Sequence, residues 1–177
     1  MAAYLSLAAI QVVIDSVDSD PTPGNGVKAL SNTLLHLYFL VTDGWIIAPQ
    51  RHGLDSIILR IHHYQRRYPD DLAPIHHTVT LAGPATGDNT KASLRQLEEA
   101  LDVSNPDPVS GRCWAVLFRG LELRFFEYHR SLPVGERLVS WALESQSLGD
   151  SFHVRNDSVV VEEMLQYMTQ HSIPDPR

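Results

Sequence analysis

The stretch GRCWAVLFRGLELRFFEYHR, residues 111–130, constrains this chain more than any other. Aromatic and apolar residues crowd both sides of Gly120, a pattern that suits a two-stranded hairpin and that a helix would tolerate poorly. With Arg119-Gly120 as a two-residue loop, Trp114 faces Phe125, Val116 faces Leu123 and Phe118 faces Leu121. These six side chains share one side of the sheet, because alternate residues share a face. Cys113, Ala115, Leu117, Glu122, Arg124 and Phe126 take the other side, a mixed surface that is only partly covered or belongs to a site. The same register sets Arg112 opposite Glu127, where an ion pair would close the apolar face. A slip by one residue would put Glu122 and Arg124 among the aromatics, and each desolvated charge costs several kcal/mol, a penalty that decides the register.

The rest of the chain adds helices and further strands. Leu7, Ile10, Ile14 and Val17 predict an amphipathic first helix, and the Pro- and Gly-rich DPTPGNG places a loop within 18–26. The helix has no basic residue before Lys28, and Gln11 and Asp15 break its apolar run, unlike a secretory signal. Thr33–Val41 reads as a buried strand that turns at Thr42-Asp43-Gly44 into a second, Trp45–Ala48; a helix over 30–40 fits the same leucines. A helix is predicted from Asp55 or Ser56 to about Tyr68, with Ile57, Ile58, Ile61, Tyr64 and Tyr68 in one apolar sector. Then follow a strand Ile75–Leu81, a helix from Asn89 or Thr90 to Val103, the hairpin, and a helix from Pro133 to about Ser145. A strand Phe152–Arg155 and a helix Ser158–His171 end the series, with 172–177 as a loose tail. The prolines other than Pro133 fall between these elements. The order predicts a single α/β domain of the α+β type over 1–177. Its one mixed sheet has about five or six strands, including the hairpin near 112–129, and about five helices cover it.

Composition excludes several classes. A formal net charge of −7 leaves little to neutralise a phosphate backbone, so nucleic acid is not an expected partner. The single cysteine, Cys113, excludes an intrachain disulfide and a multi-thiolate metal centre, and its apolar strand neighbours make it a small hydrophobe. No apolar run reaches the ~18–20 residues of a membrane span, so the expected location is cytoplasmic or nuclear.

The candidate chemistry is sparse. GPATGDNTK, Gly83 to Lys91, lies where a phosphate loop would, but Asp88 occupies the place of the phosphate-binding lysine and would repel the anion. The nine histidines include the adjacent pairs His62-His63 and His76-His77, and adjacent residues diverge on helix and strand alike, so neither pair chelates within itself. A metal would need distant residues such as His77, His129 and His153; no metal site and no cofactor are expected. On the predicted helix 55–68, Arg60, His63 and Arg67 form the densest positive stripe, a candidate surface for an anionic partner. Glu122, Arg124, His129 and His153 form an alternative acid–base set at element ends. The leading expectation is a non-enzymatic protein-interaction module or subunit of a larger assembly, with a protein partner or a second copy bound. The alternatives are a small-molecule lyase, isomerase or cyclase using His and Asp/Glu, and a nucleic-acid-binding domain without an intact catalytic motif.

CWAVLFRGLELRFFEYHR and FHVRNDSVVVEEMLQYM resemble segments of uncharacterised filamentous-fungal proteins with a degenerate PD-(D/E)xK nuclease-like fold. The resemblance implies a hairpin, a helix, a strand and a helix in the C-terminal third. The nuclease motif itself needs E-x-K at a strand end to hold Mg²⁺. Here the nearest strings are Glu122-Leu123-Arg124 and Glu127-Tyr128-His129, and the only lysines are Lys28 and Lys91. The resemblance therefore implies a fold that has lost its nuclease site.

Overall fold

Strands with apolar residues on both faces need cover on both, and the central strands here have them. A computed structural model of the chain describes residues 2–20, 24–52, 56–67, 71–85, 90–104, 110–143 and 151–174, leaving aside the side chains of 51–52, 65–67 and 71–73. The elements are α1 (Ala8–Ser19), α2 (Gly24–Tyr38), β1 (Trp45–His52), β2 (Ser56–Arg67), β3 (Asp71–Gly83), α3 (Thr90–Val103), β4 (Arg112–Arg119), β5 (Glu122–His129), β6 (Leu138–Ser140), β7 (Phe152–His153) and α4 (Ser158–Gln170). Short 3-10 turns occupy Ala3–Ser6 and Val41–Asp43. The strands form one mixed sheet in the order β1-β2-β3-β4-β5-β6, with β7 also on β5. Only β3 and β4 run parallel, joined by the α3 crossover that parallel neighbours require.

α1, α2 and α4 bury one face, setting Ile14, Leu34 and Leu165 against Ile61, Trp114 and Phe125. Among the described residues α3 is the one helix that packs on the other, with Leu97 and Leu101 against Val79, Leu117 and Phe126. The α+β class and the mixed sheet are as predicted, and the described residues contain four α-helices and seven strands. No helix among the described residues is long and apolar enough to cross a membrane.

The hairpin has the predicted faces in a different register. Trp114 pairs with Glu127, Val116 with Phe125 and Phe118 with Leu123. The loop is Gly120-Leu121, with Gly120 at φ 59° in its first position. A slip of two residues leaves every side chain on its face, because the period is two. Trp114 is accordingly buried, at 1% exposure. Arg112 now pairs with His129, and the partner of the buried Glu127 is that histidine, 3.0 Å away, in place of Arg112.

Several elements differ from the sequence reading. Of the segment predicted as a helix over 55–68, Ser56–Arg67 is β2, a strand buried on both faces, and Asp55 and Tyr68 lie outside the described residues; Ile57, Ile58 and Ile61 satisfy a helical wheel without forming a helix. Its β-branched and tyrosine content was the truer signal. The helical alternative holds for 30–40: α2 begins at Gly24, inside the predicted loop, and the strand Thr33–Val41 does not form. The helix predicted from Pro133 is a turn followed by β6. Gly135, at φ 91°, is held there by Glu98, and Arg137 donates to the Leu132 carbonyl. Residues 144–145 of that predicted helix lie outside the described residues. Two prolines sit inside strands: Pro49 on the edge strand β1, and Pro74 where β3 has β2 but not yet β4 beside it, so neither breaks a ladder on two sides. In the predicted loose tail, Pro174 is buried.

Candidate functional site

The width of the sheet decides where a site can form. Six strands in sequence leave five spacings of about 4.8 Å, or about 24 Å, whereas one helix is about 10–12 Å across. α3 therefore cannot cover its face, and two recesses open beside it on β4 and β5. The smaller, about 270 Å³, is lined by Ala85, Thr90, Leu117, Arg119, Glu122, Arg124 and Ser151. The larger, about 540 Å³, lies between α3 and the turn before β6, with Phe126, Leu94, Val134 and Leu138 as its apolar lining and Lys91, Arg95 and Arg124 as its cations. Arg124 lines both, so the two recesses adjoin at this side chain and together make up a trough along α3.

The polar groups of the trough are unequally engaged. Asp102 on α3 accepts two bonds from Arg137, at 2.7 and 2.8 Å, and a third from the Tyr128 hydroxyl. Burial and then this carboxylate push the Tyr128 phenol well above its usual range. Glu98, 6% exposed, accepts the Gly135 N–H at 2.7 Å, and Glu99 pairs with Arg95 one helical turn away. The Arg119 guanidinium donates to the Thr90 hydroxyl at the start of α3 and to the Ala85 carbonyl. Arg124 differs from all of these. Its guanidinium carbon lies 5.4 Å from the centre of the Phe126 ring, and its buried Nε has no hydrogen-bond partner.

The acid–base set from the sequence does not converge. Glu122 and Arg124 line the trough, and His153 on β7 stands opposite Glu122 in register, but its Nδ1 accepts the backbone N–H groups of Arg155 and Asn156. His129 lies five residues from Arg124 along β5, roughly 17 Å, and on the other face, bonded to Glu127. The positive stripe does not exist as a helix face. On a strand Arg60 and His63 point to opposite faces, and the Arg67 side chain lies outside the described residues. The Gly83–Lys91 loop does join a strand to a helix, and its residues 86–89 lie outside the described residues. Cys113 is buried, which pushes its thiol up and keeps it unreactive.

His77, considered with His129 and His153 for a metal, is a structural clamp. It is the extra residue of a bulge in β3, buried against Phe39 and Trp45. Its Nε2–H donates to the carbonyls of Met168 (2.8 Å) and His171 (3.0 Å), leaving Nδ1 to accept the Thr78 hydroxyl at 2.6 Å. Burial pulls its pKa down to about 4 against those two bonds, so it is neutral. Among the described residues no three His, Cys, Asp or Glu side chains converge as a metal site.

Compared with protein-family models, curated proteins and solved structures, the chain matches none. Its chemistry therefore rests on its own residues. The charged trough residues that sequence reasoning missed are Lys91, Arg95, Glu98, Glu99, Asp102 and Arg119, with Arg137 bonded to Asp102. Arg95, Glu98, Glu99 and Asp102 fall at i, i+3, i+4 and i+7 of α3, a polar stripe alongside its leucines that was open to be read.

Proposed function

We propose that this chain is a non-catalytic binding module whose trough takes a small organic anion, a carboxylate or phosphate on an apolar body. The observation that carries the reading is Arg124. It is half-buried on the sheet, its Nε lacks a partner, and it stands where the recess lined by Arg119 and the α3 start meets the one lined by Phe126, Leu94 and Leu138. An arginine with free donors suits a planar oxyanion, and the positive end of a helix reinforces it. The acids of α3 are already held by Arg137, Tyr128, Gly135 and Arg95, which leaves Arg124 and Lys91 to a ligand. The recess volumes are of the scale, about 300–1,000 Å³, of small-molecule sites. A nuclease reading has less support, since Glu122 and Glu127 point to opposite faces of β5 and cannot share one Mg²⁺. A protein partner is the second reading, favoured by β1, an eight-residue edge strand whose Ile46 is 46% exposed.

The test is calorimetric titration with decanoate and phenyl phosphate, each beside its neutral alcohol. The expected outcome is saturable binding of at least one anion, no binding of its alcohol, and a tenfold or greater loss in Arg124→Gln. Equal binding of acid and alcohol, or an unchanged Arg124→Gln, would overturn the reading.

A further inference from the structure

The two adjacent histidine pairs, inert as chelators within themselves, are brought together by the β2–β3 hairpin. His62 stands directly opposite His76 in register, and their rings are 4.7 Å apart, centre to centre, at 71°. His63 and His77 turn to the other face, where both pack on Trp45. Both His62 and His76 are half-buried, and the Nδ1 of each has no hydrogen-bond partner. Orphaned buried nitrogens are uncommon in native proteins and call for an explanation such as a bound ion.

We propose that His62 and His76 form a two-histidine site for a late first-row divalent ion, Zn²⁺ or Cu²⁺, with water completing its coordination. Imidazole is a preferred ligand for these ions. Directly opposite residues of an antiparallel pair have Cβ atoms about 4.5–5.5 Å apart. Two imidazoles so placed can both reach one ion at about 2.0–2.1 Å once χ2, a broad torsion in histidine, turns a nitrogen of each toward it. Arg60 gives the site a distinctive signature. It is the next residue along the same face of β2, its Nε is also orphaned, and its charge opposes a cation. An oxyanion bound at the same place would instead be held by Arg60. The sign of an Arg60 substitution therefore separates the two ligand chemistries.

The experiment titrates Zn²⁺ alone into the full chain, followed by histidine ring-proton NMR and calorimetry. The expected result is one equivalent bound, with the moving signals being those absent from His62→Gln and His76→Gln. Each of those variants should lose at least tenfold in affinity, His63→Gln should keep it, and Arg60→Gln should bind Zn²⁺ several-fold more tightly. No movement of these two rings below millimolar Zn²⁺ would overturn the proposal. So would weaker Zn²⁺ binding in Arg60→Gln, or movement of the same rings by inorganic phosphate that Arg60→Gln abolishes.

Discussion

The two faces of the sheet treat their polar groups differently. Under α1, α2 and α4, buried His77, Glu127 and Tyr4 each have partners, the last donating its hydroxyl to the Val154 carbonyl. Of the buried polar side-chain atoms described on that face only the Thr80 hydroxyl lacks one. Trp114 adds to the same order, donating its indole N–H to the His171 carbonyl that His77 also holds, so β3 and β4 together fix the end of α4. Under α3, beside the bonded Glu98, Asp102 and Tyr128, more nitrogens are left over. Arg60, His62, His76 and Arg124 all keep an orphaned nitrogen. A face that three helices cover completes its own hydrogen bonds, whereas a face that one helix cannot span leaves donors for something else.

The largest effect should come from the covered face. Trp114→Ala should cost about 3–5 kcal/mol in chemical denaturation, the usual range for a buried aromatic. A loss under about 1 kcal/mol would mean that this face is not the main core. Next in size is a pH effect at His77. Its pKa is about 4 when folded and 6.5 as a free side chain, so the unfolded chain binds more protons between those values. Stability from this group is therefore complete above about pH 6.5 and falls as pH drops toward 4, by up to roughly 3 kcal/mol. Denaturation midpoints across that window should slope less in His77→Gln than in the parent chain, and an identical slope would break the clamp assignment.

On the open face the effects should move from stability to binding. Arg124→Gln should change stability by under about 1 kcal/mol while weakening anion binding tenfold, about 1.4 kcal/mol. Comparable losses in both would place Arg124 with the core. The smallest effect belongs to the trough wall. Asp102→Asn removes a partly exposed ion pair with Arg137 and weakens the bond from Tyr128, which should cost about 1 kcal/mol. Amide exchange should then quicken around Gly135 and Arg137 while α4 stays protected; uniform loosening would show that the wall is no separate unit.

Legibility in the sequence followed the same division. The hairpin's faces could be read because Gly120 marks the turn and Glu122 and Arg124 alternate with Leu123 and Phe125, and period two survives an error of two in register. β2 was misread because cover on both faces erases that alternation at Ile57, Ile58 and Leu59. At the site, Glu122 and Arg124 were visible as charges on a mixed strand face. The partners that shape the trough were not, since Asp102 and Arg137 meet across 35 residues and a turn that reads as the start of a helix. The histidine pairs show the same limit: adjacency could be read, and the cross-strand meeting of His62 with His76 could not.

Amide chemical-shift mapping with whichever of decanoate or phenyl phosphate binds tests the division of the two faces most directly. The predicted footprint is the trough: Leu117, Arg119, Glu122, Arg124 and Phe126 on the sheet, with Leu94 and Glu98 on α3. Shifts centred on His77, Trp114 and α4, or spread evenly over both faces, would contradict it.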